Sequence, residues 1–103
     1  MRAMEIVNLD GPDSALQRAE ISEPEASHPM TPGSGVLVEV RAAGVSFPEL
    51  LQTRGQYQIK PELPFVPGSE VGGVVRSVPD GATIRPGDRV AAFCSLGAFA
   101  EVA

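Results

Sequence analysis

The 103-residue sequence predicts a mainly β fold: a partly open barrel of short strands with one short helix. Three observations carry that prediction. Eleven glycines and ten prolines are spread along the chain, as suits many strands and turns and not a helical bundle. Two proline-glycine turns, Pro67-Gly68 and Pro86-Gly87, each launch an apolar run, with Glu70 and Asp88 close behind. Val36 to Val45 alternates Val36, Val38 and Val40 with Glu39 and Arg41, the period of a strand with one buried face.

The elements follow in order. Met4 to Leu9 is a short β-like run ending at the turn Asp10-Gly11-Pro12-Asp13. Ala15 to Ile21 is its return strand, so the two form a hairpin. Ser22 to Ser34 holds three prolines and no periodicity, and reads as a surface loop. After the strand at 36–45, Ala42-Ala43-Gly44 narrows the side chains and permits close approach of another backbone or a ligand, or marks a bend. Ser46 to Arg54 reads as the helix. Ser46 can cap it, Pro48 fits the first turn, Glu49 suits the positive end, and Gly55 stops it. Leu50 and Leu51 are expected to face the core. Gln56 to Phe65 is irregular, broken by Pro61 and Pro64. Ser69 to Val78 and Asp88 to Phe93 are strands, separated by turns at Pro79-Asp80-Gly81 and Ile84-Arg85-Pro86-Gly87. Gly97 to Val102 begins a last strand. The sum is six or seven short strands. The chain reaches Ala103 in strand-like material, which would leave an unpaired edge, so a longer protein is expected.

Composition bounds the partners. One domain, residues 1–103, fits this length. The net charge is −5 with no basic cluster, against nucleic acid as a partner. No apolar run is long enough to span a bilayer. Glu5 and Asn8 interrupt the N-terminus where a signal peptide needs an apolar stretch, so a cytoplasmic protein is expected. Cys94 is the only cysteine, so neither an intrachain disulfide nor a cysteine-rich zinc site can form.

Four blocks, in order VLVEVRAAGVS (36–46), LPFVPGSEVGGVV (63–75), PGDRV (86–90) and GAFAE (97–101), resemble the GroES-like N-terminal catalytic domain of the medium-chain dehydrogenase/reductase family. The resemblance covers nearly the whole chain; Met1 to Thr31 fits by general pattern only. It implies a GroES-like barrel whose nicotinamide cofactor is held mainly by a Rossmann domain, absent from this chain. Gly68, Gly72 and Gly73 do not have the spacing of a dinucleotide fingerprint; they read as a turn and a strand packed tightly on a neighbour. Val78-Pro79-Asp80-Gly81 departs from the glycine-containing turn usual there.

In the zinc-dependent branch of that family, two ligands would fall at positions 46 and 69 as cysteine and histidine. Here both are serine, and a neutral hydroxyl is a poor zinc ligand. Phe47 also replaces a polar residue of that branch. Glu70 cannot hold zinc alone, His28 lies in the proline-rich loop, and Cys94 lies in an apolar strand. No metal site is expected. What remains resembles the zinc-independent quinone oxidoreductases. That resemblance implies NADPH and hydride transfer to a quinone, enone or aldehyde-like substrate, by a protein forming a homodimer at full length. It carries Ser46 and Tyr57 as catalytic candidates, and Ser46, Phe47, Pro48 and Leu51 as the turn bordering the nicotinamide. Each has a structural alternative: Ser46 as a helix cap, Tyr57 as cover for the core edge, Phe47 as packing, Glu70 as acceptor for backbone donors, and Asp88 with Arg89 as a turn-stabilising pair. Two other functions stay open: a non-catalytic GroES-like binding or scaffold domain, and an enoyl thioester reductase of the same family.

Overall fold

The computed structural model describes residues 1–103 throughout. Its elements are β1 (Arg2–Ile6), α1 (Pro12–Ala15), β2 (Leu16–Glu20), β3 (Leu37–Ala43), α2 (Phe47–Gln52), β4 (Glu70–Ser77) and β5 (Arg89–Phe93). β1 and β2 pair antiparallel, with Arg2 opposite Glu20 and Ile6 opposite Leu16. β3, β4 and β5 form a second antiparallel sheet in that order.

The tail joins the two sheets. Met4 N–H donates to the Phe99 carbonyl and Glu101 N–H to that of Arg2, while Val40 N–H donates to Glu101 and Val38 N–H to Ala103. One extended segment thus bonds first to β1 and then to β3. The strand expected at 97–102 is present only as isolated bridges, Ala3 with Ala100 and Glu39 with Val102. It divides its backbone groups between two partners, so no continuous ladder forms. The order around the barrel is β2, β1, tail, β3, β4, β5. The barrel is open between β2 and β5, as expected.

The helices depart from expectation. The turn at Asp10–Asp13 continues into a helical turn, α1, because Pro12 sits at its first position, where a missing N–H costs nothing. Ser14 and Ala15 N–H both bond the Gly11 carbonyl. The helix expected over 46–54 is present as α2, but Leu50 does not face inward and Leu51 is only half-buried. The buried residues there are Glu49, Gln52 and Thr53, at 4, 6 and 1% exposure. Positions 49, 52 and 53 share one helical face. Thr53 Oγ1–H donates to the Leu50 carbonyl at 2.6 Å, and the Thr53 carbonyl accepts from Gly11 N–H. The polar face is held inward by these bonds, so Phe47 and Leu50 turn out to solvent.

The core is built from small residues. Val38, Val71 and Ala98 form its centre, with Val36, Val40, Val90, Ala92 and Phe99 packed around them. Ile6 is the one large aliphatic side chain that is wholly buried. Gly68 has φ +96°, and a Cβ there would strike Phe99 and Ala98. A Cβ on Gly73 would strike the Glu39 carbonyl. Both are packing glycines, as read from sequence. Gly72 differs: a Cβ there meets open space.

Candidate functional site

The Ser46 corner is assembled by β3, β4 and α2. Gly44 N–H donates to the Glu70 carbonyl at 2.9 Å, which brings the segment carrying Ser46 beside the one carrying Ser69. A Cβ on Gly44 would lie 2.9 Å from a Glu70 carboxylate oxygen, the free end of an exposed side chain, which would swing aside. Glu70 makes no side-chain hydrogen bond of its own, so its expected role as acceptor for backbone donors is replaced by packing over Gly44. Cys94 N–H in turn donates to the Ser69 carbonyl at 2.7 Å, tying the end of β5 to the same corner.

Ser46 is exposed and caps α2. Its backbone N–H and its hydroxyl both donate to Glu49 Oε2, each at 2.7 Å. The capping pattern Ser-x-x-Glu over 46–49 is the sequence signal that could have found this buried carboxylate. Phe47 is 67% and Val45 82% exposed. Pro48 and Leu51 are half-buried.

Tyr57 lies beyond α2. Gly55, at φ +65°, ends the helix, and the half-buried Tyr57 lines a cavity of about 160 Å³ with Leu9, Gln52, Ile59, Leu63 and Phe65. Its hydroxyl makes no hydrogen bond within the chain. Ser46, Phe47, Pro48 and Leu51 do not line that cavity, so the structure does not gather all five candidates into one pocket.

A cavity of about 770 Å³ lies between the segment that follows β2 (21–36) and β5. Its wall includes Ile21, Val38, Val71, Ala92, Cys94 and Val102, and none of the five candidates. Burial pushes the Cys94 thiol up from its ordinary pKa, which disfavours the thiolate that would be the nucleophile or metal ligand. His28 Nδ1 accepts the Met30 N–H at 3.1 Å within its loop. No three His, Cys, Asp or Glu side chains are grouped to hold a metal ion. The expected Asp88–Arg89 pair does not form: Asp88 Oδ2 instead accepts the Arg85 N–H at 2.9 Å across the turn. No helix is long and apolar enough to cross a membrane.

Comparison with known proteins adds to this geometry. Residues 31–102 match the alcohol dehydrogenase GroES-like domain. The chain belongs to this family. Among curated GroES-like relatives, quinone oxidoreductase of Rattus norvegicus is 37% identical over 106 residues, covering all of this chain and 30% of the relative. The quinone oxidoreductase of Homo sapiens is 36% identical, with the same coverage. A probable oxidoreductase from Mycobacterium abscessus superposes with TM-score 0.89 at 47% identity, over 100% of this chain and 31% of that one. The Escherichia coli quinone oxidoreductase complexed with NADPH superposes with TM-score 0.84 at 30% identity, over 100% and 30%. The GroES-like fold and the kinship with medium-chain quinone oxidoreductases are thus as expected. The chain spans about 30% of the length of these relatives.

Proposed function

We propose that this domain is the substrate-side wall of an NADPH-dependent, zinc-free oxidoreductase that reduces a quinone or an activated alkene. The observation that carries the reading is the Ser46 corner: a lone exposed hydroxyl between exposed apolar side chains, with serine at both 46 and 69. The residues fit contact with a flat ring and do not fit a phosphate cradle, because Gly68 and Gly73 serve packing. The phosphates would therefore rest on a second, Rossmann-type domain. When bound, NADPH supplies a hydride from C4 of its nicotinamide.

The chain's own residues bind and orient. Val45 and Phe47 present apolar surface to the ring, and Pro48 and Leu51 stiffen the turn beneath it. Tyr57 lines a separate cavity; its role as donor to the oxygen that gains charge during the transfer is supported by the family resemblance and by a hydroxyl unpaired within the chain. Positioning of donor against acceptor is the main demand of hydride transfer, and neither serine would support a Lewis acid. The relatives' names favour a quinone over an enoyl thioester. The full-length protein is proposed to be a cytoplasmic homodimer.

The 103-residue chain alone should not oxidise NADPH in the presence of a quinone. The assay is loss of nicotinamide absorbance with the purified chain; turnover above the uncatalysed rate would contradict this division of labour.

A further inference from the structure

Glu49 is a group this chemistry has not used. A carboxylate at 4% exposure is uncommon unless its oxygens are paired. Here one oxygen, Oε2, takes both polar hydrogens of Ser46: the backbone N–H and the hydroxyl, each at 2.7 Å. A carboxylate only accepts, so the second bond has a fixed direction, with the Ser46 hydroxyl donating inward. A serine hydroxyl has one proton and two lone pairs. With that proton held in a charge-assisted bond, the exposed Ser46 Oγ meets any ligand as an acceptor.

We infer that Glu49 is a positioning residue that makes Ser46 an acceptor, so that the group Ser46 reads is a hydrogen-bond donor and not the carbonyl oxygen of the substrate. The inference rests on the ring-binding role proposed above. Turning the hydroxyl outward would break the bond to Glu49 and leave a buried carboxylate with one donor fewer, which is costly. The two hydroxyls near α2 therefore divide the work. Tyr57, unpaired within the chain, is free to donate; Ser46 is not. The ligand class that suits Ser46, between Val45 and Phe47, is a flat heteroaromatic ring bearing a carboxamide, whose N–H group supplies the donor.

The test is an NMR titration of the 103-residue chain with two probes, nicotinamide and methyl nicotinate. They share the ring, but the ester has no N–H. Backbone amides of Ser46, Phe47 and Glu49 are followed. About fivefold tighter binding of nicotinamide is expected, the worth of one net hydrogen bond. Ser46→Ala, at an exposed position, should bring the ratio to about one. Glu49→Leu frees the hydroxyl proton, and should bring the ratio to one or invert it; a merely structural cap would weaken both probes alike. If Glu49→Leu does not fold, the wild-type ratio and Ser46→Ala decide. Equal affinities in the wild type, or a ratio unchanged in Ser46→Ala or in folded Glu49→Leu, would overturn the inference while leaving ring binding standing. Failure of both probes to perturb this turn would overturn both.

Discussion

Gly73 and Gly72 are adjacent on β4, yet adding one methyl to each should have opposite consequences. On Gly73 the new Cβ collides with the Glu39 carbonyl and lies 2.8 Å from Val38 Cγ1. β4 is the middle strand of its sheet, so neither β3 nor β5 can yield without disturbing a ladder. Overpacking of this kind costs about 1–3 kcal/mol. Taking about 2 kcal/mol, and about 4–8 °C per kcal/mol for a domain of this size, Gly73→Ala should lower Tm by roughly 8–16 °C. With a urea m-value of about 1–3 kcal/mol/M, the midpoint should fall by about 0.7–2 M. On Gly72 the Cβ meets nothing within 4 Å, and β-strand glycine carries an entropic penalty. Gly72→Ala should change stability by less than about 0.5 kcal/mol, or raise it slightly. Paired thermal and urea unfolding of the two variants is the assay. A neutral Gly73→Ala, or a Gly72→Ala as costly as its neighbour, would refute the packing account of this glycine-rich strand.

Other consequences can be measured on the same chain. Glu101 accepts from the Arg2 side chain and backbone, and the Arg2 side-chain bond is the main cause holding its carboxyl below the usual range. A depressed folded-state pKa gives stability that is present above the unfolded value and lost as pH falls through the folded one. Arg2→Ala should therefore raise the Glu101 titration midpoint by NMR and flatten the pH dependence of stability, the loss being small, present at pH 7 and gone at acid pH. Arg76 joins Glu23 of the 22–34 loop at 2.6 Å and Glu39 of β3 at 3.5 Å. Arg76→Ala should speed proteolysis within residues 22–34 while leaving the global midpoint nearly unchanged, because exposed ion pairs contribute little. Cys94 should react with a disulfide reagent at pH 7 at least about tenfold more slowly than a free thiol, and urea should abolish the difference.

Much of this fold was legible because its signals are local. The hairpin, β3, β4 and β5 announce themselves by alternation and by proline-glycine turns. α1 was not legible, because Pro12 serves a turn and a helix start equally well. The rotation of α2 was hidden by Leu50 and Leu51, whose apolarity suggests burial. Tertiary bonds at Thr53 and the reach of Glu49 to Ser46 decide the matter instead. The tail's change of partner from β1 to β3 depends on where two sheets meet, which no local pattern encodes.

The site shows the same division. The serines at 46 and 69 are plain in the sequence, but their shared corner depends on the backbone bond between Gly44 and Glu70. Tyr57 is eleven residues from Ser46, and α2 places it at a separate cavity. The Ser-x-x-Glu spacing over 46–49 could have marked the buried carboxylate of Glu49, which in the sequence reads only as suited to the positive end of the helix; its effect on the Ser46 hydroxyl needed the geometry.

This domain is proposed to support hydride transfer without a metal. That proposal is tested most directly by replacing the matching 30% of the Escherichia coli quinone oxidoreductase with this chain and assaying NADPH-dependent quinone reduction before and after exhaustive chelation. Turnover that chelation does not change is expected. Turnover lost on chelation and restored by zinc, or no turnover in a folded chimera that still binds NADPH, would contradict it.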